Sequence, residues 1–140
     1  MGDLKTDTRA QDTDAVRAKN LETVRRFFVN DGWKTRRALW ADDAVFELPY
    51  ETGGPVTLRG LDDILAENDA VWQTLARHEY FDLVIDQTLD PEVFWTVVKS
   101  RTVGKNEGIE RVMLLVNYLR VVDGKVVHRV EYFNPASQPR

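Results

Sequence analysis

The hydrophobic positions change their period along the chain, from helical spacing in the first half to strand alternation in the second. Residues 1–13 are polar and aperiodic, which predicts a disordered tail. From about residue 14, apolar side chains recur at helical spacing until the stop signal Asn-Asp-Gly at 30–32. A short second helix is predicted over 33–41, and a third over about 64–75.

Runs of β-branched and aromatic residues, separated by turn signals, predict strands. Asp123-Gly124, between two apolar runs, is the strongest hairpin signal of the chain. The predicted strands are Ala44–Leu48, Val56–Arg59, Tyr80–Leu89, Val93–Val103, Ile109–Val122 and about Lys125–Asn134. Helices followed by a four-strand antiparallel meander predict an α+β fold with the helices on one face of the sheet. Residues 14–135 then form one domain, followed by a polar tail over 136–140.

Composition and charge exclude several classes of function. The chain has no cysteine, which excludes disulfides and thiolate zinc sites, and its two histidines form no recognisable metal pattern. We therefore expect no metal and, without a glycine-rich phosphate loop, no cofactor. A net charge of −4 argues against a nucleic-acid partner, and no apolar run has the roughly 20 residues of a membrane span. A cytoplasmic location is expected.

The strand over 109–122 carries an unbroken apolar series from Val112 to Val116. A strand that is apolar on both sides is covered on both sides. The helices provide one cover, and we infer that a second copy of the chain provides the other, through the outer face of the sheet. The alternative is that the chain covers this face with its own tails.

Glu131 is the candidate for proton transfer, because it lies in the last strand among apolar and aromatic residues. An acid in such surroundings either forms an ion pair or holds its proton more readily than it would in water. In the second case it can exchange a proton with a substrate near neutral pH. In the first case its partner is one of three arginines: Arg129, Arg111 or Arg101.

The remaining chemistry-bearing residues have structural interpretations. His78 is predicted at the surface near a strand start, and His128 on the strand face opposite Glu131. Neither histidine is predicted to be catalytic. Four aromatic residues either pack in the core, which is the commoner fate, or line a pocket for a flat ligand. They are Trp40, Tyr50, Trp72 and Trp95.

Several strings resemble the nuclear transport factor 2-like (SnoaL-like) superfamily, in the order in which its elements occur. They are Asn20–Phe28, Trp40–Phe46 and Leu58–Gly60. Within that superfamily the chain is most similar to the phenazine-biosynthesis A/B proteins. The strings that carry this likeness are Thr52–Val56, Leu65–Glu67, Ala70–Trp72, Phe94-Trp95 and Asp123–Val126, the last followed by Arg129, Glu131 and Phe133.

The resemblance implies a cone-shaped fold with a ligand pocket between the helices and a bent sheet. Family members are small dimers that give acid/base help to the condensation of two amino-ketones. Glu131 falls on the family's acidic residue, the proposed general acid. Arg36 or Arg37 falls on the family's substrate-positioning arginine, and Asn68 or Asp69 stands where the family has a histidine. Gln73 stands in place of a serine, and Arg111 in place of a tyrosine. Tyr50 and Trp72 are the further implied binding residues.

Three functions therefore remain open. The first is acid/base help to condensation, cyclisation or isomerisation of a cyclic keto or amino compound in secondary metabolism. The second is a binding or dimeric scaffold protein without catalysis. The third is an isomerase or cyclase acting on a steroid or polyketide. An isomerase-type aspartate would stand near the end of the first strand, where this chain has Leu48 followed by Pro49.

Overall fold

The computed structural model describes residues 2–135, with side chains from residue 12 onward. The predicted tail over 136–140 lies outside the described residues. The elements are α1 (Gly2–Phe27), α2 (Lys34–Leu39), β1 (Trp40–Leu48), β2 (Val56–Arg59), α3 (Leu61–Gln73), β3 (Leu75–Gln87), β4 (Val93–Gly104), β5 (Glu110–Val122) and β6 (Lys125–Tyr132). The predicted α+β class is confirmed.

The six strands form one curved, open sheet in the order β2-β1-β6-β5-β4-β3. Strands β3 to β6 are the predicted antiparallel meander. The strand alternation did not predict that β1 would pair in parallel with β6, with Phe46 opposite Arg129. This pairing places the first strand beside the strand that carries Glu131, and β2 then extends the sheet beyond β1.

An irregularity between β5 and β6 changes which side chains of the last strand face the core. Val126 pairs with Val121, whereas His128 pairs with Arg120, so one extra residue stands on β6. Such a β-bulge shifts the alternation by one position. Val126 and Arg129 therefore both face the core, at 0% and 1% exposure, although strict alternation predicts opposite faces.

Helix α1 packs across the inner face of the sheet through Val24, Phe27 and Phe28, which are all buried. Asn20 fixes its position by donating to the Pro91 carbonyl and accepting from the Gly124 amide. The helix already begins at Gly2, so the prediction of a tail over 1–13 was wrong for the backbone from residue 2 onward. Since this stretch contains no proline and no internal glycine, the docked helix can propagate backward through polar residues.

The outer face of the sheet keeps large apolar side chains exposed. Val112 and Leu114 of β5 are 49% and 56% exposed, and Val84 of β3 is 54% exposed. No segment within the described residues covers this face. Separately, none of the helices in the described part of the chain is long and apolar enough to cross a membrane.

Candidate functional site

A cavity of about 500 Å³ lies between the inner face of the sheet and the helices α2 and α3. This volume falls in the range of small-molecule sites, roughly 300–1,000 Å³. On the sheet side, its apolar wall includes side chains from β1, β5 and the residue after β6: Phe46, Leu48, Met113, Leu115 and Phe133. The pocket that the family resemblance implied is therefore present, and polar and charged side chains form the rest of its lining.

Glu131 lines this cavity and forms an ion pair with Arg129. Arg129 Nη2 lies 3.0 Å from Glu131 Oε2, and the two side chains are 2% and 16% exposed. Arg129 Nε also donates to Asn117 Oδ1 at 2.9 Å, and its guanidinium lies over the Phe46 ring. The paired interpretation of Glu131 is thus the one observed, and Arg129 is the partner among the three candidates. The carboxylate is held rigidly at the cavity wall with its charge balanced.

Arg36 is the second buried cation of the cavity, at 2% exposure. Its Nε donates to the Phe27 carbonyl at 3.1 Å, and its guanidinium lies 4.3 Å from the Phe27 ring centre and 4.9 Å from that of Tyr80. Within the described residues it forms no ion pair, and its Nη2 has no hydrogen-bond partner. Desolvation lowers the pKa of Arg36 from its ordinary value to about 10, so the group stays cationic at neutral pH.

His78 also lines the cavity, so the prediction that it lies at the surface was wrong. Aromatic rings hold its imidazole: Trp33 at 5.0 Å, Trp72 at 6.1 Å and Tyr80 at 4.4 Å between ring centres. Burial is the main cause, and the nearby positive charges of Arg36 and Arg129 act in the same direction, so that together they lower the pKa of His78 from 6.5 to about 4. The ring is therefore neutral at pH 7.

The predicted pairs of neighbouring residues divide between the cavity and the surface. Arg36 and Asn68 line the cavity, and the buried Asn68 Nδ2 has no hydrogen-bond partner among the described residues. Arg37 and Asp69 are exposed and form an ion pair with each other outside it. Because adjacent residues of a helix point about 100° apart, one member of each pair faces inward.

Three of the other predicted binding residues do not line the cavity. Tyr50 is 56% exposed and contacts the Tyr132 ring at 6.1 Å. Trp72 packs against the rings of Trp33 and His78, so it supports the wall rather than forming it. Gln73 is exposed at the end of α3. As for the other tryptophans, Trp40 is in the core and Trp95 lies on the outer face near Tyr118.

Arg111 does line the cavity, where it stands among charged residues of the β4–β5 loop. Its Nη2 lies 3.0 Å from Glu107 Oε2, and Lys105 and Asn106 complete this part of the wall. The loop is fixed to the end of α3, because the Lys105 amide donates to the Thr74 carbonyl at 2.9 Å. The cavity thus has a charged wall along this loop and a largely aromatic, buried end at Arg36.

Sequence reasoning missed most of the cavity wall, including the polar residues His78, Tyr80, Ser100, Thr102 and Arg129. The signal was period-two alternation, which places Ser100 and Thr102 on the same face of β4 as the buried Val98. The described residues contain no group of three or more histidine or carboxylate side chains placed to hold a metal ion. The side chains themselves offer proton transfer, hydrogen bonding and anion binding.

Comparison with known proteins places this site in a family. The sequence profile of the family described as phenazine biosynthesis protein A/B matches residues 1–140. The chain belongs to this family. The predicted likeness to its members is thereby confirmed, whereas none of the curated proteins matches the chain.

Solved structures confirm that the family's fold is the nuclear transport factor 2-like one. A phenazine biosynthesis-related protein, phzb2 of Pseudomonas aeruginosa, is 23% identical with a TM-score of 0.79, over 91% of this chain and 87% of that protein. A nuclear transport factor 2-like protein of unknown function from Burkholderia pseudomallei is 21% identical with a TM-score of 0.67, over 84% and 92%. A protein of Xanthomonas campestris pv. campestris, provisionally named a polyketide cyclase, is 17% identical with a TM-score of 0.71, over 85% and 93%.

Proposed function

We propose that the protein binds a small cyclic carbonyl compound with an anionic group and moves a proton on it, as a step of condensation, cyclisation or isomerisation. The observation that carries this proposal is the Glu131 carboxylate in the wall of a cavity of about 500 Å³. Family membership and the isomerase- and cyclase-named structural neighbours support this general kind of reaction.

The buried charges favour an anionic ligand. Arg36 and Arg129 bring two positive charges to the cavity, and Glu131 neutralises one of them. A buried charge without a partner is unfavourable because it has lost its hydration. A carboxylate on the ligand would provide that partner, and it would bring an acceptor to the free Nη2 of Arg36.

Glu131 is positioned to act as the base. Its Oε2 lies 3.0 Å from Arg129 Nη2, and the side chain lines the cavity. A carboxylate next to a carbonyl compound can remove a proton from the carbon beside the carbonyl group, and the resulting acid can return it at another atom. General acid–base catalysis of this kind typically contributes 10²–10⁴-fold to a rate.

The test uses a compound with both required groups, 4-oxocyclohexane-1-carboxylate, in D₂O. Replacement of its α-protons by deuterium, followed by ¹H NMR, reports proton removal without requiring the natural substrate. We expect the wild type to accelerate this exchange above the buffer rate. We expect Glu131→Gln to lose about 10²-fold or more of that acceleration. Glutamine keeps an oxygen for Arg129, so binding of the compound, measured by thermal shift, should survive.

Glu110→Gln is the matched control, because Glu110 is an exposed glutamate of β5 that pairs with Arg101. The Glu110→Gln variant should accelerate the deuterium exchange of the ketone as much as the wild type does. Exchange no faster than buffer in the wild type, or undiminished exchange in Glu131→Gln, would remove the proposed catalysis. A ligand-induced thermal shift without deuterium exchange would instead favour the second candidate function, a binding protein without catalysis. The observation that supports this candidate is the ion pair of Arg129 and Glu131, which balances the charge of the carboxylate.

We further propose that the protein is a homodimer through the outer face of the sheet. Its support is the exposed apolar surface of β3 to β5, including Val84, Val112 and Leu114. Trp95, Tyr118 and Tyr132 continue this surface, with ring centres 5.5 Å and 6.3 Å from Trp95. Exposed apolar patches of this kind mark interaction sites on soluble domains.

A further inference from the structure

His78 faces the same cavity as Glu131 but has no role in the proton transfer described above. Neither nitrogen of its ring has a hydrogen-bond partner within the described part of the chain, although the ring lines the cavity. A neutral imidazole carries one N–H donor and one acceptor nitrogen. His78 is therefore an uncommitted hydrogen-bonding group at the wall of the site.

The ring is also held in place. It makes edge contacts with Trp33 at 5.0 Å and Tyr80 at 4.4 Å, and Trp72 closes a third side at 6.1 Å. Trp72 itself rests against Gly32, where an added Cβ would lie 3.3 Å from its ring. A hydrogen-bond donor that is fixed before the reaction needs no reorganisation when charge develops next to it.

His78 and Glu131 are arranged around the same two cations. Arg36 and Arg129 both act electrostatically on His78, while Glu131 pairs with Arg129 and acts electrostatically on Arg36. A ligand whose carboxylate sits at Arg36 therefore shares the cavity with both the glutamate and the imidazole. Because Arg36 and Arg129 are positively charged, protonation of the ring is disfavoured, so His78 offers the single N–H group of a neutral imidazole.

We propose that His78 is a further catalytic residue that donates a ring N–H to the carbonyl oxygen of the substrate. When Glu131 takes the α-proton, the C–H electron pair forms the new carbon–carbon double bond of the enolate. The carbonyl π pair moves to the oxygen, and the hydrogen bond from His78 stabilises that negative oxygen. Return of the proton from Glu131 to a carbon reverses the charge shift. This inference rests on the proposed function of Glu131.

The test compares His78→Leu, which removes the donor, with His78→Gln, which retains an N–H donor of similar reach. The assay is the deuterium exchange of 4-oxocyclohexane-1-carboxylate. We expect His78→Leu to lower kcat about 10²–10³-fold with KM nearly unchanged, because the hydrogen bond strengthens in the transition state. His78→Gln should recover at least tenfold of that loss. His128→Gln is the control, since this other histidine lies on the outer face and contacts Glu47.

The outcomes separate the two proposals. The role of His78 alone would be overturned by the following result: the wild type accelerates the exchange, Glu131→Gln abolishes this acceleration, and His78→Leu leaves it unchanged. Equal loss in His78→Leu and His78→Gln would overturn a donor role as well. If His78→Leu does not fold, ¹⁵N NMR of the wild type decides. Addition of the same ketone should shift the protonated ring nitrogen of His78 and leave that of His128 in place, and an unmoved His78 signal would contradict the inference.

Discussion

The neutral state of His78 makes the stability of the protein depend on pH in a defined window. Its pKa is lowered from 6.5 to about 4 in the folded protein, mainly by burial. Between these values the unfolded chain binds a proton that the folded chain does not. Stability is therefore complete above pH 6.5, is lost as the pH falls from 6.5 toward 4, and changes no further through this group below about 4.

The size of this loss follows from the two pKa values. Each pKa unit corresponds to about 1.4 kcal/mol, so His78 accounts for about 2 kcal/mol between pH 7.5 and 5 and at most about 3 kcal/mol at pH 4. The ring is partly exposed at the cavity, so these figures are upper values. Replacing His78 by glutamine removes the titrating group while keeping a polar side chain of similar reach.

The assay is urea unfolding at pH 7.5 and pH 5, at one protein concentration, for the wild type, His78→Gln and His128→Gln. The wild type and His128→Gln should lose about 2 kcal/mol more of their unfolding free energy than His78→Gln does. Carboxylates that titrate near pH 4 affect all three proteins alike, so the comparison isolates the imidazole. An equal loss in the wild type and His78→Gln would show that the ring is not sequestered, and would refute the reasoning.

Three further predictions concern the buried cation Arg36, the contact of Gly32 with Trp72 beside the cavity, and the outer face of the sheet. Arg36→Met should weaken binding of 4-oxocyclohexane-1-carboxylate about tenfold or more, but not binding of its methyl ester, by calorimetric titration. Gly32→Ala should lower the free energy of unfolding in urea by about 1–2 kcal/mol, because Gly32 has φ +70 and its new Cβ would press on Trp72. Leu114→Asp should convert a dimer to a monomer in light scattering, whereas the fully exposed Leu89→Asp should not.

The strands could be predicted from local signals, because each has β-branched or aromatic residues and a recognisable turn. Asp123-Gly124 fixed the last hairpin, and Asp123 and Gly124 have the positive φ values, 52° and 74°, that such a turn requires. The bulge that follows this turn then brings both Val126 and Glu131 to the inner face of β6, which strict alternation does not predict. Glu131 was nevertheless found from the sequence, through its apolar and aromatic neighbours and the family resemblance.

His78 was missed because the start of β3 depends on contacts that are distant in sequence. The first residues of this strand are mostly polar, so periodicity placed the strand start at Tyr80. In the structure the strand begins at Leu75, since Arg77 and His78 pair with Val103 and Thr102 of β4. Backbone pairing across the sheet overrides a weak local pattern.

The choice between neighbouring residues also needed tertiary structure. The resemblance left Arg36 and Arg37 open, and likewise Asn68 and Asp69. Packing decides both: the Arg36 guanidinium lies against Phe27, while Arg37 reaches Asp69 at the surface. No local property of the sequence distinguishes two adjacent arginines on a six-residue helix.

The most direct test of the account is a crystal structure of the protein with 4-hydroxybenzoate, a flat, stable mimic of the enolate of the test ketone. We predict the ligand inside the cavity, with its carboxylate on Arg36, its phenolic oxygen within hydrogen-bond distance of His78, and its ring edge beside Glu131. A ligand bound outside the cavity, or held with its carboxylate at Lys105 and its ring remote from Glu131, would contradict the proposed site.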